Sequence, residues 1–121
     1  MAKILVAEDD KFLANAYRVK LNKAGYEIKI VSDGQQAIDS LETFTPDVIL
    51  LDLIMPIKDG FVVLEELKKN DRWKNIPVIV ASNLGQREDI DKSMALGATD
   101  YIVKSQIPIN DILVKINNVL K

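Results

Sequence analysis

The amino-acid sequence predicts an α/β fold in which a five-stranded parallel sheet is covered by helices on both faces. Five short β-like runs alternate along the chain with segments whose apolar residues recur at helical spacing. Strict alternation of strands and helices is typical of a doubly wound parallel sheet. At 121 residues the chain has the length of one domain, and we expect residues 1–121 to form it.

The polarity of the five predicted strands indicates their order in the sheet. The strands cover residues 3–7, 27–31, 47–51, 77–81 and 100–103. The first, third and fourth are almost entirely apolar, as expected for strands that are buried on both faces. The second alternates and the fifth is mixed, so we expect both at the edges. This pattern is compatible with the order 2-1-3-4-5, which is that of a flavodoxin-like fold.

Five helices are predicted between and after the strands. The first has helically spaced apolar residues and a glycine stop, at Leu13, Ala16, Tyr17, Leu21, Ala24 and Gly25. The last has the same spacing, at Ile109, Ile112, Leu113, Ile116 and Leu120. Helices near 35–42, 60–69 and 86–96 complete the set, and Gly97 stands where a C-terminal cap belongs.

Composition excludes several classes of function. The chain has no cysteine and no histidine, so thiolate chemistry, disulfides and histidine bases are absent. A net charge of −2 without a long basic run argues against a nucleic-acid platform. No apolar run approaches the ~20 residues of a membrane span, and no signal-peptide pattern begins the chain. We therefore expect a cytoplasmic protein whose chemistry depends on carboxylates, hydroxyls, lysines and a hard metal ion.

Polar side chains follow the strands and are expected to meet at one edge of the sheet. Parallel strands place all their carboxyl ends on the same side, where open α/β sheets bind ligands. The residues concerned are Glu8, Asp9 and Asp10 after strand 1, Asp52 after strand 3, Ser82 after strand 4 and Lys104 after strand 5. Each has a simpler reading, since Asp9 or Asp10 can cap a helix, as can Asp59. The joint pattern favours a shared acidic pocket.

Such a pocket constrains the chemistry that it can support. Neighbouring carboxylates repel each other, so a proton or a cation must join them. Mg²⁺ suits the site because it binds carboxylate oxygens and retains positions for water and phosphate oxygens. An aspartate oxygen can then attack phosphorus, while Lys104 neutralises charge and Ser82 donates a hydrogen bond to a phosphoryl oxygen.

Four segments together resemble the receiver domain of bacterial two-component response regulators. They are ILVAEDD, VILLDLIMPIKDG, VIVAS and DYIVK, and the resemblance covers nearly the whole chain. It implies that Asp52 accepts a phosphoryl group from a sensor histidine kinase or a phosphotransfer protein. It also implies a Mg²⁺ site made by Asp9, Asp52 and the backbone carbonyl of Ile54, with Glu8 acting mainly through water.

The resemblance further implies a switch that is read by other proteins. Phosphorylation is expected to draw Ser82 toward the phosphate and to let Tyr101 turn inward, remodelling the face of helix 4, strand 5 and helix 5. Partner contacts are expected around Ile90, Met94, Tyr101 and the last helix, although the more conservative interpretation of Ile90 and Met94 is that they are core residues of an amphipathic helix. Serine follows Lys104 where the family usually has a proline after a cis peptide, so the loop there is expected to differ in shape.

Other interpretations remain open from the sequence. A degenerate receiver would act as a non-switching scaffold. An aspartyl-phosphate phosphatase would need a general acid at the position of Ile54, so we expect no enzyme beyond autophosphatase activity. A flavin binder would need a glycine-rich loop where the sequence reads AEDDKF. The downstream target is either a separate protein or an output domain of a longer chain.

Overall fold

The computed structural model describes residues 2–121 and confirms the predicted alternation of strands and helices. The strands are β1 (Lys3–Ala7), β2 (Glu27–Val31), β3 (Val48–Leu51), β4 (Val78–Ser82) and β5 (Asp100–Val103). The helices are α1 (Lys11–Lys23), α2 (Gly34–Ser40), α3 (Gly60–Lys69), α4 (Arg87–Ala95) and α5 (Ile109–Leu120). Strands β3 and β4 each begin one residue later than predicted, and α2 ends two residues earlier. In this part of the chain no helix has the length and apolar character needed to cross a membrane.

The five strands form one parallel sheet in the order β2-β1-β3-β4-β5, as the strand polarity predicts. Its register brings the strand ends into line, because Ala7 pairs with Leu51 and Ser82 pairs with Val103. The residues that follow, Glu8, Asp52 and Lys104, therefore leave the sheet at the same edge.

Two hydrophobic layers enclose the sheet, one on each face. Along β1, Leu5 packs into the layer under α2 and α3, whereas its neighbours Ile4 and Val6 pack into the layer under α1 and α5. Strand β3 alternates in the same way. Because each central strand contributes to both layers, its sequence has to be apolar without interruption.

Short polar residues define the helix ends. The carboxylate of Asp10 accepts hydrogen bonds from the N–H groups of Phe12 and Leu13 at 2.9 and 3.1 Å. The carboxylate of Asp59 caps α3 in the same way, through the N–H of Val62 at 3.0 Å. The simpler interpretation of Asp10 and Asp59, that their side chains cap helices, is therefore correct. Gly25 and Gly97, which follow α1 and α4, have φ angles of 94° and 102° and end their helices as expected.

Strain is concentrated in the loop between β3 and α3. Ile57 has a φ of 70°, a left-handed conformation that is unfavourable for a β-branched residue by about 1–2 kcal/mol. The loop has little room to relax, because a Cβ on Gly60 would lie 2.4 Å from the carbonyl oxygen of Asp52. A Cβ on Gly34 would lie 2.1 Å from the carbonyl oxygen of Lys58. Ile57 is 77% exposed, so packing offsets little of its strain.

We expect Ile57→Gly to raise the free energy of unfolding by about 0.5–1 kcal/mol, because relief of strain exceeds the entropy that glycine adds to the unfolded chain. Denaturant unfolding followed by the fluorescence of Trp73, the single and buried tryptophan, measures this change. Ile54→Gly is the matched control, since Ile54 is an exposed isoleucine of the same loop without a positive φ. The Ile54→Gly substitution should lower the free energy of unfolding. A loss of stability in both variants would contradict the strain argument.

Candidate functional site

Three carboxylates meet at the carboxyl edge of the sheet. One oxygen each from Glu8, Asp9 and Asp52 lies within 4.8 Å of the others. Glu8 and Asp52 are buried and Asp9 is exposed. Backbone hydrogen bonds hold the two buried acids, because the N–H of Glu8 donates to Val31 O at 2.9 Å and that of Asp52 donates to Ala7 O at 3.0 Å. Both carboxylates are thus fixed by the sheet itself.

The ammonium group of Lys104 joins the two buried acids. Its Nζ lies 2.7 Å from Glu8 Oε1 and 3.0 Å from Asp52 Oδ2. The backbone positions this side chain, since the N–H of Lys104 donates to Ser82 O at 2.9 Å. Burial lowers the pKa of Lys104, but its pairing with both acids outweighs burial and raises that pKa. Lys104 is therefore a permanent cation at the centre of the cluster.

Glu8 is a weaker acid than an ordinary glutamate side chain. Burial raises its pKa to about 7, the charge of Asp52 acts in the same direction, and the hydrogen bond from Lys104 only partly opposes both. The second oxygen of Glu8 accepts a hydrogen bond from the N–H of Asp10 at 3.1 Å. Near neutral pH the site therefore exchanges a proton at Glu8, and a cation bound there would compete with that proton.

The predicted switch residues lie on the β4 side of the site. Ser82 is fully buried and is the last residue of β4, whereas the sequence predicted a strand that ends at Ala81. Its Oγ accepts a hydrogen bond from the N–H of Leu84 at 3.3 Å. The hydroxyl of Tyr101 donates to the carbonyl oxygen of Leu84, so this half-buried ring is already tied to the β4–α4 loop. The inward turn expected after phosphorylation stays a prediction.

A backbone hydrogen bond holds the loop after Asp52 against the acidic cluster. The N–H of Ile54 donates to Asp52 Oδ1 at 3.3 Å, which holds the backbone of Ile54 next to the carboxylate. The side chain of Ile54 points to solvent and is 59% exposed. Three carboxylates are hard oxygen donors, and such a set fits Mg²⁺.

Three features of this region were not predicted from the sequence. The hydroxyl of Tyr17 is buried with no hydrogen-bond partner within residues 2–121, although the sequence suggested only an apolar helix position. The sequence feature that could have indicated this buried hydroxyl is a tyrosine on the otherwise apolar face of α1. The Lys104–Ser105 bond is trans, as are all peptide bonds in the described residues. Met94 is 43% exposed, so the more conservative reading of it as a core residue is wrong.

Known proteins share both this sequence pattern and this fold. The family model of the response regulator receiver domain matches residues 4–117. The transcriptional regulator RpaA of Synechocystis, described as DNA-binding, is 31% identical over the whole chain, which covers 50% of RpaA. The chain spans half or less of the length of RpaA and of other curated relatives that it matches, including PleD of Caulobacter vibrioides, of which it covers 24%.

Solved structures agree with these relatives. A Francisella response regulator receiver domain superimposes with a TM-score of 0.90 at 32% identity, covering 99% of this chain and 97% of its own. The Mn²⁺-bound form of the response regulator Rcp1 superimposes with a TM-score of 0.85 at 30% identity, covering 98% and 91%. With the match to the family model and the predicted 2-1-3-4-5 sheet, these likenesses establish that the chain belongs to the response regulator receiver domain family.

Proposed function

We propose that Asp52 is the phosphoacceptor of this receiver domain. The observation that carries the proposal is the lysine that joins two buried acids, with Lys104 Nζ 3.0 Å from Asp52 Oδ2. A carboxylate oxygen can attack phosphorus to form an acyl phosphate. The ammonium group beside it is suited to stabilise the charge on the transferring group, and it would do so without moving far.

We also propose that the acidic cluster holds Mg²⁺ during this reaction. Glu8, Asp9 and Asp52 offer carboxylate oxygens within 4.8 Å of one another, and the backbone carbonyl of Ile54 is a further candidate ligand. When bound, the ion would neutralise charge on the phosphoryl oxygens. The similar protein Rcp1 has been solved in a Mn²⁺-bound form, which supports a divalent ion here.

The proposed partners are a sensor histidine kinase or a phosphotransfer protein as phosphodonor. These 121 residues contain no histidine, so a phosphohistidine donor would lie outside them. The downstream target is proposed to be a protein or an output domain that reads the face of α4, β5 and α5. RpaA, which is twice as long as the matched region, is described as DNA-binding, so an attached output domain is one form that this target can take.

The proposal is tested by labelling with acetyl phosphate and Mg²⁺, followed by intact mass measurement. The wild type should gain the mass of one phosphoryl group, and Asp52→Asn should gain none. Asp59→Asn is the matched control, because Asp59 is an exposed aspartate of the same segment whose carboxylate caps α3. Equal labelling of wild type and Asp52→Asn would reject Asp52 as the acceptor.

One observation favours a second candidate function, that of a scaffold which does not switch. The hydroxyl of Tyr101 already donates to Leu84 O, so phosphorylation has less rearrangement to drive on this face. Amide NMR spectra with and without beryllofluoride and Mg²⁺ distinguish the two functions. A switch predicts shifts that extend to α4 and β5, whereas a scaffold predicts shifts that stay near Asp52. Autophosphatase activity is part of the first proposal and is measured as loss of the label over time.

A further inference from the structure

An open cleft of about 520 Å³ lies beside the phosphoacceptor site, between α1 and the segment that joins β5 to α5. This is the size of a small-ligand site. Its walls are largely apolar and are formed by Phe12, Leu13, Ala16, Ile107, Ile109 and Ile112. Phe12 is 92% exposed, an unusual position for a large aromatic side chain, which indicates that the rim of the cleft is built for apolar contact.

The cleft shares Lys104 with the proposed phosphoacceptor site. Lys104 lines the cleft, and its Nζ is also the group that lies 3.0 Å from Asp52 Oδ2. Asn83, which follows Ser82, and the carboxylate residue Asp10 also line the cleft. A small molecule that presents phosphorus to Asp52 would therefore have room for its remaining atoms in the cleft.

Tyr17 adds a second, independent observation that points to a ligand. It lines the cleft, its side chain is 1% exposed, and its hydroxyl has no hydrogen-bond partner within the described chain. A buried hydroxyl without a partner is unfavourable, so an acceptor oxygen brought by a ligand would stabilise this wall. An apolar cleft that is lined by Lys104 and by a tyrosine whose hydroxyl has no partner suits an apolar group that carries a carboxyl oxygen.

We propose that this cleft binds the apolar leaving group of a small-molecule acyl phosphate, with an aromatic acyl group as the preferred class. The inference rests on the proposed function, since it assigns the part of the phosphodonor that departs from Asp52. In the transfer, an Asp52 carboxylate oxygen forms a bond to phosphorus. The bond from phosphorus to the acyl oxygen breaks, its electron pair stays on that oxygen, and the aromatic acid leaves as a carboxylate. Total charge is conserved, and no proton or further reactant is needed.

Benzoyl phosphate and acetyl phosphate test the proposal directly, because both transfer the same group and differ in the body of the leaving carboxylate. We expect the second-order rate constant for phosphorylation to be about tenfold higher with benzoyl phosphate, since a phenyl ring buries much more apolar surface than a methyl group. A rate constant for benzoyl phosphate equal to or below that for acetyl phosphate would overturn the proposal. A rate constant for benzoyl phosphate no higher than that for acetyl phosphate is also expected if the cleft binds only a protein phosphodonor.

A pair of variants on α1 separates the cleft from intrinsic donor reactivity. Ala16→Phe fills the cleft, whereas Val19→Phe adds the same ring at an exposed position of α1 outside it. The ratio of the two rate constants should fall severalfold in Ala16→Phe and stay at the wild-type value in Val19→Phe, and an unchanged ratio in Ala16→Phe would count against the cleft. Labelling by acetyl phosphate without preference for benzoyl phosphate would refute this inference alone. Labelling by neither donor would instead refute the proposed function.

Discussion

Replacing Lys104 with methionine is expected to slow phosphorylation of Asp52 by about 100-fold while leaving Mg²⁺ binding intact. Removing one donor that stabilises charge in a transition state typically costs 10²–10³ in rate. Methionine keeps much of the apolar stem of lysine but removes the ammonium group that lies 2.7 Å from Glu8 and 3.0 Å from Asp52. The carboxylates that would hold the ion are untouched, and they lose a competing cation. Mg²⁺ affinity should therefore be equal to or higher than that of the wild type.

The measurement combines the rate of labelling by acetyl phosphate with Mg²⁺ affinity from titration calorimetry. Lys115→Met is the matched control, since Lys115 forms a partly exposed ion pair with Asp100 at 3.1 Å. That pair lies outside the acidic cluster, so the control should label at the wild-type rate. Wild-type labelling in Lys104→Met would remove Lys104 from the proposed mechanism. A loss of Mg²⁺ affinity would mean that the lysine organises the carboxylates rather than the phosphoryl group.

The sheet was predictable because its signals are local. A short unbroken apolar run such as residues 48–51 favours a strand that is buried on both faces, and the mixed runs of β2 and β5 indicate the edges. The convergence of Asp52 and Lys104 then follows from topology alone, since parallel strands end on one side. The family and fold could be predicted from the sequence because its motifs stand at the ends of particular strands. Both predictions are confirmed.

The chemistry inside the site was less accessible from the sequence because it depends on depth and on contacts between distant segments. No local pattern reveals that Lys104 contacts both Glu8 and Asp52, or that burial raises the pKa of Glu8. The carbonyl oxygen of Leu84 that accepts the hydrogen bond from Tyr101 is a backbone atom, and its position is set by the loop conformation rather than by residue type. The left-handed φ of Ile57 contradicts local propensity altogether, since glycine or asparagine would be expected there.

The raised pKa of Glu8 predicts that the folded protein becomes less stable as pH rises from below 4.5 to above 7 in the absence of a divalent ion. The folded state holds the Glu8 proton up to a pKa of about 7, whereas the unfolded chain releases it near 4.5. Between these values the folded state binds more protons, so the free energy of unfolding falls with increasing pH. The contribution is complete below 4.5 and is lost as pH rises through 7; the full shift corresponds to about 3 kcal/mol, which solvent screening reduces to roughly 2 kcal/mol.

Glu8→Gln isolates this contribution, because glutamine resembles the protonated acid in shape and does not titrate. Groups that do not interact with Glu8 cancel in the difference between variant and wild type, which should be near zero below pH 4.5 and should favour the variant by about 2 kcal/mol above pH 7. Glu65→Gln, which removes one exposed carboxyl on α3, controls for the change in net charge. A difference for Glu8→Gln that does not vary with pH would contradict the raised pKa. Saturating Mg²⁺ should stabilise the wild type more above pH 7 than below 4.5, because the ion and the proton compete for the same carboxylates.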